Sequence, residues 1–131
     1  MDLQSAMGTA GQTAKLMFKG MTDEMQMCIQ NCMLCYQTCS QMVAHCLERG
    51  GAHASPQHIK TLIDCAAACA ASADFMIRGS ELHSRYCGAC AEACVACAVS
   101  CEAIADDEMM KMCADVCRRC AESCEKMAAH H

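Results

Sequence analysis

Along this chain the apolar positions recur in steps of three and four, and at most of them the residue is cysteine. The first run is Cys28, Cys32, Cys35 and Cys39, with Cys46 a heptad later; the second is Cys65 and Cys69. The third is Cys87, Cys90, Cys94, Cys97 and Cys101, and the fourth Cys113, Cys117, Cys120 and Cys124. Such steps keep side chains on one helical face, the stripe where a bundle helix normally carries Leu and Ile. Strand signals are almost absent, with little β-branching, no alternation and no hairpin dipeptides.

Punctuation divides the pattern into helices. Gly20 and Thr22 end a short N-terminal helix over Asp2 to Lys19 and cap the next, whose first turn holds Asp23 and Glu24. That helix is predicted to reach about Leu47, ahead of Gly50 and Gly51. Ser55-Pro56 is a cap followed by proline at the first helical position, and the helix it opens should end near Gly79. Ser80 can cap the third, and Asp106, Asp107 and Glu108 suit the N-terminus of the fourth. Four helices of roughly 20 residues with short connections predict an all-α fold. The expected architecture is one domain over 1–131, an antiparallel four-helix bundle (about 22–128) with a cysteine-lined core plus the short N-terminal helix. The segments CGACAEACVACAVSCE and CADVCRRCAESCEKM echo one another, as a cysteine-helix hairpin used repeatedly would. Glu122 and Lys126 are placed to pair at i,i+4; with Glu92, Arg118 and Arg119 they read as solvated exterior. Tyr36, Tyr86, Phe18 and Phe75 are expected to pack between helices or subunits.

Composition changes the picture in one respect. Leu, Ile, Val and Phe together supply only 17 of 131 residues, a level that would signal disorder without the sustained periodicity and the modest net charge of −5. Cysteine acts as a small buried hydrophobe, and Ala with 13 Met provides the remaining apolar volume. The apo core is therefore poor in bulky side chains, and filling it with metal should stiffen it. Met1 to Phe18 has neither a positively charged start nor an apolar h-region, so no secretory signal is predicted. No window approaches a membrane span of roughly 20 apolar residues. The expected compartment is the cytoplasm, where thiols stay reduced. No basic cluster points to nucleic acid.

Four chemistries compete for the sixteen cysteines. Disulfides suit an even count, but Cβ atoms three or four residues apart on a helix lie about 5–6 Å apart. That exceeds the roughly 3.8 Å a disulfide wants. A zinc ribbon is formally matched by Cys94-x2-Cys97 and Cys117-x2-Cys120, yet the intervening residues continue helices and supply no knuckle turns. The ferredoxin spacing is absent, and C-x-x-C marks thioredoxin-like redox chemistry only beside a βαβ pattern. Soft thiolate and thioether ligands select Cu(I), an ion able to accept two or three sulfurs. This last reading leaves least unexplained: one-turn thiol pairs can be bridged by a small ion, and facing helices offer more. If every thiolate bridges two ions and every ion takes two sulfurs, capacity is on the order of sixteen. No nucleophile–base pair or paired carboxylates project from a common face, so no enzyme is expected.

The segments LIDCAAAC, CGACAEACVACAVSCE and CADVCRRCAESCEKM resemble the copper storage proteins, the Csp family of four-helix bundles filled with Cys-bound Cu(I). The resemblance runs from about Met25 to Met127 and is nearest to the cytosolic type. It implies storage of many Cu(I) ions per chain, received from small-thiol or protein donors, and assembly into a homotetramer. In the family, copper enters at one end of the bundle, near the loop joining the last two helices. Many relatives carry histidines there; this chain has AIADDEMMKMC, where Met109, Met110 and Met112 replace imidazole by thioether. The same end receives Met42, His45, Cys46 and His58, and the expected mouth is Met42, Cys46, His58, Met109 and Met110. The opposite end gathers Met21, Met25, Met76, His83 and Met127 as a second candidate. His53, His130 and His131 are expected to be solvated, and Met at helical spacing is also ordinary core filling. A copper chaperone, a detoxification protein and a zinc-buffering, metallothionein-like protein are the alternatives.

Overall fold

The computed structural model describes residues 20–129; the helix expected over 2–19, Phe18 and the two terminal histidines lie outside the described residues. Four helices follow in order: α1 (Asp23–Arg49), α2 (Pro56–Ile77), α3 (His83–Glu102) and α4 (Glu108–Ala128). A 3-10 turn, Gly51–Ala54, separates the first two, and among the described residues there is no strand. The starts follow from local chemistry. Thr22 Oγ1 accepts the Met25 N–H at 3.1 Å, Ser55 Oγ accepts the His58 N–H at 3.3 Å with Pro56 behind it, and Asp107 caps α4. Gly50 and Gly51 turn the chain with φ of 70° and 57°, a region open to glycine at little cost. Asp106 adopts φ 60° in the last connection, where its short polar side chain is among the few that tolerate it.

Two local expectations are corrected. Ser80 does not cap α3: its hydroxyl accepts the Leu82 N–H at 3.1 Å inside the turn, and the helix begins only at His83. Glu122 and Lys126 do not pair. Across α3 and α4 the ion pair is instead bidentate, from Arg118 Nε and Nη2 to Glu102 at 2.8 and 2.6 Å, exposed and worth little to stability.

Each helix packs against two neighbours, α1 on α2, α2 on α3, α3 on α4 and α4 on α1, which closes the ring of an antiparallel bundle. The helices can approach closely because the residues beside the cysteine stripe are small: Ala66, Ala73, Ala91, Ala98, Ala114 and Ala121 are all buried. The backbones of diagonal helices stay apart, and only their sulfurs meet. Cys39 on α1 reaches Cys97 on α3 at 3.9 Å, and Cys69 on α2 reaches Cys120 on α4 at 3.8 Å. Thiols therefore occupy the axis of the bundle. Phe75 and Tyr86 stack at 3.8 Å outside it, pinning α2 to α3, and Tyr36 is exposed to about the same degree as Tyr86. Among the described residues no helix is long and apolar enough to cross a membrane.

Candidate metal centre

All sixteen cysteines are free and buried. Cys32 and Cys124 Sγ approach to 3.5 Å, a packing contact far longer than a disulfide bond. Four groups of four sulfurs each lie within 4.8 Å of one another: Cys32/Cys90/Cys120/Cys124, Cys35/Cys69/Cys94/Cys120, Cys35/Cys39/Cys65/Cys117 and Cys39/Cys97/Cys113/Cys117. A group of three, Cys28/Cys87/Cys124, stands beyond the first. Successive groups share sulfurs: Cys124, then Cys120, then Cys35, then Cys39 with Cys117. The result is a ladder along the axis in which no rung is chemically separate from the next.

The ladder thins where α2 lacks a thiol. Leu62 takes the stripe position between His58 and Cys65, and Ser72 takes the one after Cys69; both are fully buried. At the Leu62 level the sulfurs come from α1, α3 and α4 alone. At the Ser72 level the hydroxyl lies 3.3 Å from Cys87 Sγ, within hydrogen-bonding reach. Neither substitution was identified from the sequence, although both sit in the three–four rhythm that marks the cysteines.

One end carries most of the predicted mouth. Cys46 Sγ lies 3.4 Å from His58 Nε2 and 3.8 Å from Met110 Sδ, which brings a thiol, an imidazole and a thioether from three helices together. His58 Nδ1 is fixed by Ser100 Oγ at 2.6 Å, an outer partner of the kind that orients a ligating imidazole. Met42 is buried one turn before Cys46 on the same stripe. Met109 is not part of this group: it is 41% exposed, because one residue of helix turns it about 100° from Met110. Burial keeps the His58 imidazole below its ordinary value and therefore neutral. Burial, followed by the nearby Asp107 charge, pushes the Cys46 thiol up to about 11. Deeper in, hydrogen bonds between sulfurs separate neighbours. Contact with Cys117 holds Cys35 and Cys65 well below the thiol range, while contacts with Cys113 and then Cys35 hold Cys117 far above it.

A polar clasp closes the connections around this end, and here the expectation of a solvated His53 is wrong. His53 is only 9% exposed, and its Nε2 lies 2.7 Å from Asp107 Oδ2, the oxygen that His45 Nε2 also approaches at 2.9 Å. Asp107 Oδ1 meanwhile accepts the N–H groups of Met109 and Met110 at 2.8 and 3.4 Å. One buried carboxylate thus ties the C-terminal part of α1, the 3-10 turn and the start of α4. Hydrogen bonding from His45, with His53 and the two backbone amides adding, holds its carboxyl well below the usual range against the opposing effect of burial. Asp107→Ala should cost about 1–2 kcal/mol of apo stability in urea unfolding, the loss of a helix cap. Asp107→Asn, which keeps the cap, should cost less; equal midpoints for Asp107→Ala and the unaltered chain would show the clasp to be inert. The sign with pH follows from the depressed carboxyl. Its contribution is complete above about pH 5, where an unfolded aspartate is almost wholly ionised, and is lost progressively as pH falls through the acid range.

A helical bundle whose axis is filled by shared, unbonded thiols is a soft-metal-binding protein by architecture. Residues 21–129 match the model of the Csp, or copper storage protein, family, and the chain belongs to that family. A crystal structure of a protein from Nitrosospira multiformis aligns with 46% identity and a TM-score of 0.79, covering 84% of this chain and all of that one. A Cu(I)-bound copper storage protein of Bacillus subtilis is 31% identical with a TM-score of 0.75, over 81% of this chain and 99% of its own. The copper storage protein of Streptomyces lividans loaded with 10 copper equivalents is 30% identical with a TM-score of 0.72, over 84% and 89%. No curated protein sequence matches the chain.

Proposed function

We propose that this chain is a Cu(I) store that holds many ions on the sixteen thiols of its axis. The observation that carries the reading is the sharing of sulfurs between successive groups. Sulfur spacing alone does not choose the ion, since four thiolates about 2.3 Å from a zinc ion would also pack this closely. Zinc, however, takes four ligands in a tetrahedron, so sixteen thiols serve few zinc ions even where sulfurs bridge, whereas soft Cu(I) accepts two or three thiolates and the same axis holds many more ions. The ions are cargo. Each arrives from a small-molecule or protein thiol, exchanges onto soft ligands at the mouth and moves inward from thiolate to thiolate. Cys46, His58, Met110 and Met42 are the mouth ligands of this reading, and Met109, on the outer rim, meets the ion before them.

The same reading makes the protein a container without a catalytic step. Its thiols are sealed in the axis, and among the described residues the buried side-chain nitrogen and oxygen atoms are all hydrogen-bonded. A reducing cytoplasm suits sixteen unpaired thiols, and the relative from Streptomyces lividans is described as cytosolic. Association into a homotetramer is supported by apolar side chains left outside the core, among them Ile63 and Ile77 on α2, Leu82 just before α3 and Tyr86 on it.

The deciding experiment is anaerobic titration of the fully reduced protein with Cu(I) against a chromophoric chelator. Tight uptake should continue to the order of one ion per thiol and should not yield to excess Zn(II). Saturation after one or two ions would make the protein a chaperone, and displacement by zinc would make it a zinc buffer.

A further inference from the structure

The cysteine stripe does not stop at Cys28, Cys87 and Cys124; methionine continues it in register. On α1 the sequence of stripe positions runs Cys32, Cys28, Met25, and on α4 it runs Cys120, Cys124, Met127. On α2 it runs Cys69, Ser72, Met76. Residues three and four apart share a helix face, so each thioether is the next neighbour of the ladder on its own helix. All three helices do this at the same end, away from Cys46 and His58. Met76 and Met127 are almost fully buried, while Met25 is half-buried against the core.

This end is also hollow. A cavity of about 390 Å³ opens beside it, lined by Met21, Met25 and Met76 together with the start of α1 and the turn after α2. Arg78, the one cation of the lining among the described residues, is engaged elsewhere: its Nε donates to Asp74 Oδ1 at 3.2 Å, and its guanidinium lies 4.8 Å from the Phe75 ring centre. Ordinary core filling accounts for a buried methionine, but not for two stripe methionines, Met25 and Met76, that line one hollow together with Met21 at the end of a thiol ladder.

We propose that Met21, Met25 and Met76 form a second port, at which thioethers ligate one Cu(I) in transit between solvent and the Cys28/Cys87/Cys124 group. This rests on the storage reading and adds a second way in and out of the same store. Neutral thioethers bind Cu(I) without releasing a proton, so this port works at acidities where the thiolates themselves begin to lose metal. Three neutral ligands also hold the ion less tightly than thiolates do, which suits a site of passage. The ladder is then open at both ends, with an imidazole and a thioether at one and thioethers alone at the other.

Two measurements on the full chain test this. In the first, Cu(I) uptake is followed by stopped-flow absorption of the Cu(I)–thiolate bands. Four proteins are compared: unaltered, His58→Leu/Met110→Leu, Met25→Leu/Met76→Leu, and all four substitutions together. The unaltered mouth and the unaltered far end should each sustain filling, and the fourfold variant should fill about tenfold more slowly than either double variant. A far-end pair that changes no rate in either background overturns the proposal. The second needs no substitution. The protein carrying 13C-methyl methionine is loaded with about one Ag(I), a diamagnetic soft ion, per thiol and then given a further equivalent. That equivalent should shift the methyl resonances of Met25 and Met76; shifts confined to Met110 overturn the second port. Failure of the thiolate bands to develop at all would count against storage, while the methyl shifts would still decide whether these thioethers bind a soft ion.

Discussion

Filling the axis with Cu(I) should turn an ordinary, denaturable bundle into one that concentrated guanidinium does not unfold until a chelator is added. The apo core explains the low starting point. Its fully buried side chains are mostly thiols, and the larger ones are few, chiefly Leu62, Met76, Met110 and Met127. A domain of this size has about 5–15 kcal/mol of stability in total. A ligand that binds only the native state adds about 4 kcal/mol when its free concentration is a thousandfold above its dissociation constant. Several ions held along one axis therefore exceed the apo stability, even after allowing for some binding to unfolded thiols. The unfolded chain keeps the one-turn neighbours in sequence but loses the cross-helix groups such as Cys35/Cys69/Cys94/Cys120. The measurement is circular dichroism at 222 nm against denaturant, apo and loaded; coincident midpoints would mean the metal sits outside the bundle. Acid should reverse the effect. Cys46 keeps its proton up to about pH 11 in the apo protein, so metal must displace it, and loading releases protons and weakens as pH falls.

The helices and their buried face are legible in the sequence because a three–four rhythm of thiols has only one geometric meaning, and because Thr22, Ser55 and Asp107 are caps of the preferred kind. The ladder itself is half legible. Spacing places pairs of thiols one turn apart, but which sulfurs are shared depends on how α1 to α4 are set against each other along the axis. The proposed mouth shows the same division. Cys46, His58 and Met110 meet as their helix phases imply, while Met109 falls outside because a single residue step rotates it off the face. The burial of His53 was not legible, since it depends on the 3-10 turn that Gly50 and Gly51 permit. In isolation the run GGAHAS reads as an open loop; folded back on Asp107, it becomes part of the wall.

Removing two central thiols should cost more copper than removing two peripheral ones. Cys35 and Cys120 each belong to two of the four-sulfur groups, so Cys35→Ala/Cys120→Ala strips a ligand from three successive groups and takes two from one of them. Cys87 belongs to the three-sulfur group at one end, and Cys101 lies near the other end, beside Cys97 and Cys113. If each ion were held by its own private pair of sulfurs, both double variants would lose about the same number of ions. With sharing, the central pair should lose about twice as many as Cys87→Ala/Cys101→Ala. Removing one heavy atom from a core side chain costs roughly 1 kcal/mol, so both variants should remain helical and comparably stable without metal. The contrast must therefore appear in metal content, measured by elemental analysis after loading and desalting. Equal losses would show that the sulfurs touch without sharing ions, and would reduce the ladder to a row of independent sites. Unequal losses would mean that the capacity of the chain resides in the continuity of its axis, which is also what lets an ion admitted at one end make room for the next.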